Sequence, residues 1–255
     1  MTVFPEFGLG LSTIGLLWAG GVIFAASFVR GYSGFGFSSL LMAGLVPYIP
    51  AAQLVPLSIA LEVIASSGQA RGIFHDINKR YLIVLLAAGF IGNPIGVLML
   101  GVLSETLLRI SIYGIILSAS IVLLFRPGRS ISATLRLLFL AGLVAGIVNG
   151  ATALSGLVLA LFFASTRVPS ATMRATMIAY FFFTDIWTGG LLAAAGSFDG
   201  QTVQRILLAL PVLGLGIWLG SRHFLATAPE SFRNYVLWLL LGICVAGIGQ
   251  MMSGF

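Results

Sequence analysis

The chain has 255 residues, of which 59% are hydrophobic and only 8% are charged. A water-soluble domain usually carries about 25% charged residues, so these charges are too few to cover a soluble surface. The composition therefore predicts an all-α polytopic membrane protein. The net charge of +6 comes from basic residues scattered singly between apolar runs, which excludes the dense basic surface of a nucleic-acid-binding protein.

The apolar runs predict helical segments, judged against the roughly 20 residues that a membrane-spanning helix needs. The predicted segments are 12–29, 34–48, 51–70, 81–103, 106–125, 137–149, 153–166, 170–195, 202–222 and 231–252. Three of them, 34–48, 137–149 and 153–166, are short for a full crossing. We expect these three either to pair as re-entrant hairpins or to cross steeply beside a thinner region.

The two ends of the chain add two further expectations. No Lys or Arg precedes the first apolar run, which favours a retained first helix over a cleaved signal peptide. The single cysteine, Cys244, excludes an internal disulfide and a multi-thiolate metal site.

Basic residues fall mostly on one side of the predicted segments. That side receives Arg30, Arg71, Lys79, Arg80, Arg126, Arg129, Arg136, Arg167, Arg174, Arg222 and Arg233. The other side receives only Arg109 and Arg205, near Glu105 and Asp199. Under the positive-inside rule the first side is predicted to be cytoplasmic, with the protein in the plasma (inner) membrane and both termini outside the cytoplasm.

The two halves of the chain resemble each other weakly. The correspondence pairs Gly31 with Gly150, Pro50 with Pro169, and Gly92-x-x-x-Gly96 with Gly216-x-x-x-Gly220. Since one unit starts from each side of the membrane, residues 1–127 and 128–255 are predicted to be inverted-topology repeats of one integrated membrane domain. The later glycine pairs are interpreted as sites of close helix packing.

Two Gly-rich polar stretches, Arg30–Gly36 and Asn149–Gly156, interrupt the apolar sequence at corresponding places. Helices are predicted to begin within them, near Gly34 and Thr152, and the free N–H groups of a helix start suit a small oxyanion. The residues predicted to bind the anion are Arg30, Tyr32, Ser33, Gly34, Gly36, Asn149, Gly150, Thr152, Ser155 and Gly156. The alternative is that these small residues only allow close helix packing.

Three ionisable residues, Glu62, Arg174 and Asp185, lie inside apolar segments. A charge at mid-membrane costs at least about 2.5–3.5 kcal/mol, so each is expected to face an interior partner. We interpret the two carboxylates as a proton-coupling pair, or as groups that orient Arg30 or Arg174. The alternatives are a structural ion pair between two helices and an Arg174 side chain that snorkels to the surface.

The sequence carries no metal-ligand, nucleotide-binding or nucleophile motif, so neither enzymatic activity nor a cofactor is predicted. His75 and His223 are interpreted as solvated residues near segment ends, and the aromatic run 181–183 as packing or lipid-facing side chains. Without an ATPase motif, any transport would be powered by a gradient. The expected partners are a small anionic substrate and the lipid bilayer, and a homo-oligomer is left open.

These residues together resemble the TauE/SafE family of sulfite exporters and related permeases. The resemblance rests on Gly31–Gly36, on the run 141–146 with Gly150, and on Pro169-x-Ala171-x-x-Arg174-Ala175-Thr176. It implies an exporter of sulfite, sulfoacetate or other organosulfonates, and the predicted inverted repeats are typical of transport by alternating access. Typical members carry three consecutive glycines after the first helix, which this chain spreads over 31–36. The alternatives are a passive anion channel on the same scaffold and a non-transport membrane protein, such as an assembly factor or an intramembrane enzyme.

Overall fold

The computed structural model describes residues 13–69, 74–125, 131–224, 236–238, 240–245 and 247–249. These residues form helices and no strand, apart from one isolated bridge between Ile131 and Thr166. The helices are α1 (Thr13–Ser33), α2 (Phe37–Leu45), α3 (Ala51–Gln69), α4 (Lys79–Val102), α5 (Glu105–Leu124), α6 (Leu135–Thr152), α7 (Ser155–Ala164), α8 (Ser170–Ala194) and α9 (Gly200–Phe224).

Seven of the described helices, α1, α3, α4, α5, α6, α8 and α9, are long and apolar enough to cross a membrane. The prediction of an all-α polytopic membrane protein is therefore confirmed. The last predicted segment, 231–252, lies partly outside the described residues, and its described part is helical. Four predicted loop charges also lie outside the described residues: Arg71, Arg126, Arg129 and Arg233. The side chain of His223 lies outside them as well.

The short predicted segments have two different outcomes. Segments 34–48 and 153–166 contain the short helices α2 and α7, of 9 and 10 residues. Segment 137–149 was predicted too short: α6 has 18 residues and is a candidate span. It is longer because Thr134 caps its first turn and because the helix continues through the polar residues after 149.

Residues in the left-handed conformation set the helix ends at both interruptions. The first helix continues past Arg30 and ends at Ser33, before Gly34 (φ 79°) and Gly36 (φ 91°). The sixth helix ends at Ala153 (φ 58°), a conformation that costs a non-glycine residue about 1 kcal/mol or more. Helices α2 and α7 therefore begin three residues later than predicted, at Phe37 and Ser155.

Two helix pairs, α4 with α6 and α1 with α9, pack backbone against backbone. A Cβ atom at Gly146 would lie 2.6 Å from the carbonyl oxygen of Gly89, and one at Gly216 would lie 2.5 Å from Cβ of Ser27. Both glycine pairs that the sequence assigned to packing, Gly92 with Gly96 and Gly216 with Gly220, lie in these contacts.

Several of the long helices start at one of two ends of the bundle. At the Glu105 end, the Glu105 carboxylate accepts the Ala51 N–H at 2.9 and 3.0 Å, and Arg205 donates to Gln53 at 2.8 Å. At the other end, called the Arg167 end, the starts of α4, α6 and α8 surround a cavity that Arg167 lines. The predicted sidedness of the basic residues and the cytoplasmic assignment of the Arg167 end stay predictions.

Replacing Gly96 by Ala tests the backbone contact between α4 and α6. The new methyl group would overlap the Ile147 carbonyl and would lie 2.8 Å from the Ala151 nitrogen, so we expect a loss of about 1–3 kcal/mol. The matched control is Gly101→Ala on the same helix, where no atom lies within 4 Å. A thermal melt in detergent should show a lower Tm for Gly96→Ala and an equal or higher Tm for Gly101→Ala. Equal melting temperatures would contradict the contact.

Candidate functional site

Arg30, near the C-terminal end of α1, is a charged side chain with no solvent exposure. Its Nη2 atom lies 3.2 Å from Glu62 Oε2 and donates to Ser66 Oγ at 2.7 Å, while Nη1 donates to the Gly34 carbonyl. Glu62 and Ser66 are one helical turn apart, so α3 presents both groups on one face. The guanidinium thus joins α1, α3 and the first interruption.

Two further side chains complete the surroundings of this ion pair. The second carboxylate oxygen of Glu62 accepts a hydrogen bond from Ser38 of α2 at 2.8 Å. The Arg30 guanidinium also lies over the Phe181 ring of α8, 4.8 Å from its centroid, where the aromatic face attracts a cation. The Nε atom of Arg30 has no hydrogen-bond partner among the described residues.

A second buried polar cluster surrounds Asn149 of α6. The Asn149 amide donates to Asp185 Oδ1 at 2.8 Å and to Thr188 Oγ1 at 3.3 Å, both on α8. Its oxygen accepts the Ser155 hydroxyl, at the start of α7, at 2.8 Å. Asn149 and Asp185 are each 1% exposed, so this network satisfies polar groups that water does not reach.

The two clusters occupy corresponding positions of the chain, 119 residues apart. The corresponding pairs are Arg30 with Asn149, Gly34 with Ala153, Glu62 with Phe181, and Ser66 with Asp185. Arg30 donates to Ser66 as Asn149 donates to Asp185, and both helices before the interruptions end at a left-handed residue. The inverted orientation of the halves and their boundary at 127/128 stay predictions.

The two interruptions meet beside Phe181. A Cβ atom at Gly156 would lie 3.5 Å from Phe181 Cζ and 3.9 Å from the backbone nitrogen of Gly36. Neither α2 nor α7 has a side-chain cap on its first turn. Two helix starts with positive partial charge therefore lie together next to the residue that covers Arg30, an arrangement that attracts a small anion.

The comparisons with known proteins identify the family of the chain. The sequence model described as Sulfite exporter TauE/SafE matches residues 19–247, most of the chain. The chain belongs to the TauE/SafE family. The resemblance seen in the sequence is thereby confirmed, and the protein is a membrane transporter of the sulfite-exporter type. Comparisons with curated proteins and with solved structures gave no match.

In this TauE/SafE chain, Arg174 lies against the first interruption. Its Nη2 atom donates to the Gly31 carbonyl at 3.2 Å, and a Cβ atom at Gly34 would lie 2.7 Å from Arg174 Cγ. Ser221 and Gln69 also donate to the Gly31 carbonyl, at 3.3 and 3.4 Å. A cation at the C-terminal end of α1 satisfies carbonyls that the helix leaves unpaired, so Arg174 orients the interruption.

Four other predicted site residues contact neighbouring backbone. Ser33 donates to the Val29 and Phe35 carbonyls at 2.8 and 2.7 Å, and Thr152 donates to the Val148 carbonyl at 2.8 Å. Gly150 packs against α4, and Tyr32 is buried where the α1 backbone meets α9. Their role in anion binding stays a prediction.

Sequence reasoning missed several partners of the site. It assigned no contact to Ser66, Gln69 or Thr188, and it interpreted Phe181 as packing although the ring covers Arg30. A signal was present on α3, because Ser66 and Gln69 follow Glu62 by four and seven residues and share its helix face.

Moving the carboxylate along α3 tests its pairing with Arg30. Breaking a buried ion pair costs about 3–5 kcal/mol, so Glu62→Gln should lower the Tm in detergent. Adding Ser66→Asp should recover most of the loss, because Ser66 Oγ lies 2.7 Å from Arg30 Nη2. The control adds Ser67→Asp instead, at an exposed neighbouring position. Equal recovery by both double variants would show that the pairing is not specific.

Proposed function

We propose that this protein is a secondary transporter that exports small anions, sulfite or organosulfonates, across the plasma membrane by alternating access. The observation that carries the proposal is the fully buried Arg30, which is paired with Glu62 beside two uncapped helix starts. Family membership supports transport as the general activity, and the site supports an anion as the cargo.

The donors around Glu62 are those that a small oxyanion needs. A guanidinium binds two oxygens of a planar or pyramidal anion, and hydroxyls and helix N–H groups bind the others. The Glu62 carboxylate receives these contacts from Arg30 and Ser38, so it resembles a bound oxyanion in place. A substrate anion that binds Arg30 would replace the Glu62 carboxylate. Because Arg30 is closed to solvent, access from either side requires movement of the surrounding helices.

Displacement of the Glu62 carboxylate from Arg30 by the anion links anion binding to proton binding. A carboxylate that has lost its guanidinium and stays buried is strongly disfavoured, whereas the protonated acid is tolerated. The charged groups that act on this position are Arg30 of α1 and Asp185 of α8, and the hydroxyls are those of Ser38 and Ser66. Since linkage is reciprocal, the apparent affinity for the anion should rise as the pH falls.

Flux measurements test the function directly. Proteoliposomes loaded in turn with sulfite, sulfoacetate, taurine and sulfate are followed for efflux with and without a pH gradient. Saturable efflux of one anion that responds to the gradient supports a coupled carrier. Efflux that neither saturates nor responds to pH would indicate a channel, and no flux of any sulfur anion would reject the substrate class.

Two neutralising variants test the exchange at Arg30. Glu62→Gln imitates the protonated acid, so we expect anion binding to persist with a smaller pH dependence, and a larger rise in Tm on adding anion than in the wild type. Arg30→Gln with Glu62→Gln leaves an uncharged pair and should weaken anion binding roughly 10- to 100-fold, the value of a charge-assisted hydrogen bond.

The matched control is Arg222→Gln, which removes an exposed arginine that stacks on Trp218 at 4.1 Å and should leave the flux unchanged. If the uncharged Arg30/Glu62 double variant bound and transported the anion like the wild type, the ion pair would have a structural role between helices and no role in anion binding.

A further inference from the structure

Hydroxyl side chains form a stripe along α8 that winds gradually around the helix axis. The stripe consists of Thr172, Thr176, Tyr180, Thr184 and Thr188, at intervals of four residues. The four residues after Thr172 have no solvent exposure, although the helix crosses an apolar bundle. The stripe ends at the Asn149 cluster, because Asn149 donates to Thr188 and Asp185.

The outer end of the stripe opens into a cavity at the Arg167 end. The cavity has a volume of about 320 Å³, and Thr172 and Asn78 contribute to its lining. One turn deeper, Thr176 accepts the Asn78 N–H at 3.2 Å. A cavity of this size holds several water molecules, so water reaches the first turn of α8. From Thr172 to Asp185 the helix rises roughly 20 Å.

Two buried residues, Tyr180 of the stripe and Asn93 of α4, have polar atoms that lack partners among the described residues. The Tyr180 hydroxyl and both amide atoms of Asn93 have no hydrogen bond, and both residues are fully buried. Tyr180 reaches α4, since a Cβ atom at Gly89 would lie 2.6 Å from its hydroxyl oxygen. Asn93 follows Gly89 by one turn on the same helix, and its backbone lies between Gly146 and Gly150 of α6.

Polar residues of three helices lie at a similar distance from the Arg167 end. Helices α4, α6 and α8 all begin at the Arg167 end, and Asn93, Asn149 and Asp185 lie at nearly equal distances from those starts. Tyr180 lies about one and a half turns closer to the cavity than Asp185. Orphaned polar groups in a protein interior are normally satisfied by water, and each orphan costs about 1–3 kcal/mol if left without a partner.

We propose that Tyr180 and Asn93 hold a file of water molecules that carries protons from the cavity at the Arg167 end to Asp185. The proposal deepens the transport function and rests on it for its link to the anion. The route is separate from the anion site, because Arg30 and Glu62 lie on α1 and α3 while the file lies between α4, α6 and α8.

The proton balance of the route is simple. A hydronium ion in the cavity gives one proton to the file, the Tyr180 hydroxyl accepts one proton while donating its own, and the Asp185 carboxylate becomes a carboxylic acid. The charged groups that act on Asp185 are Glu62 of α3 and Arg30 of α1, whereas Asn149 of α6 and Asn93 of α4 are neutral. An anion that takes Arg30 adds negative charge near Asp185 as long as Glu62 is not yet protonated, and so favours this uptake.

Proton flux separates this route from the anion site. Proteoliposomes that hold a pH-sensitive dye receive the anion that the wild type transports, and proton movement and anion counterflow are recorded together. Tyr180→Phe and Asn93→Leu should slow proton movement roughly tenfold or more and leave anion-for-anion exchange in place. The control is Tyr113→Phe, another buried tyrosine, which lies on α5 and donates to the Ala43 carbonyl at 3.4 Å.

Three outcomes would overturn the route while leaving transport intact: unchanged proton movement in both variants, an equal loss in Tyr113→Phe, or wild-type flux without protons. If the wild type moved no sulfur anion, the proposed function would fail and the route would still be tested by infrared spectroscopy. The carboxyl band that Asp185→Asn removes should exchange with D2O more slowly in Tyr180→Phe and Asn93→Leu. An unchanged exchange rate, or no such band, would overturn the route on its own.

Discussion

A guanidinium buried among membrane helices imposes the strongest constraint on this molecule, because it must find charge and hydrogen bonds without water. Arg30 finds them on three other elements: the carboxylate and hydroxyl of α3, the Gly34 carbonyl and the Phe181 ring of α8. The short helix α2 is tied in through Ser38 and Glu62. The Arg30 guanidinium thus links α1, α2, α3 and α8, because each of them supplies part of its surroundings.

The glycine contacts between helices allow this arrangement to exist. Where α1 meets α9 and α4 meets α6, the backbones approach closely enough that a methyl group would collide, so Gly216 and Gly146 hold the long helices together without bulky side chains. Helices α3 and α8 can then direct polar side chains inward. The same close approach places the Asn93 backbone between Gly146 and Gly150 of α6.

Much of the fold follows from the sequence, because hydropathy and segment length depend only on local composition. The helices, the two interruptions and the burial of Glu62 and Asp185 were predictable on that basis. The start of α7 was not, since it depends on a left-handed Ala153, a conformation that alanine rarely adopts. Nor could the sequence choose between Arg30 and Arg174 as the partner of Glu62, because helix rotation decides which side chains meet.

The corresponding positions of the two halves carry different chemistry on the same frame. Arg30 and Glu62 of the first half correspond to Asn149 and Phe181 of the second, so the charge pair exists only once, while the second half has the isolated carboxylate Asp185. On the proposed function, this difference places the anion and the protonated Glu62 in the first half, and a second proton acceptor, Asp185, in the second. Because the route to Asp185 runs between α4, α6 and α8 while the anion binds at Arg30 of α1, a variant that blocks the route need not remove anion binding.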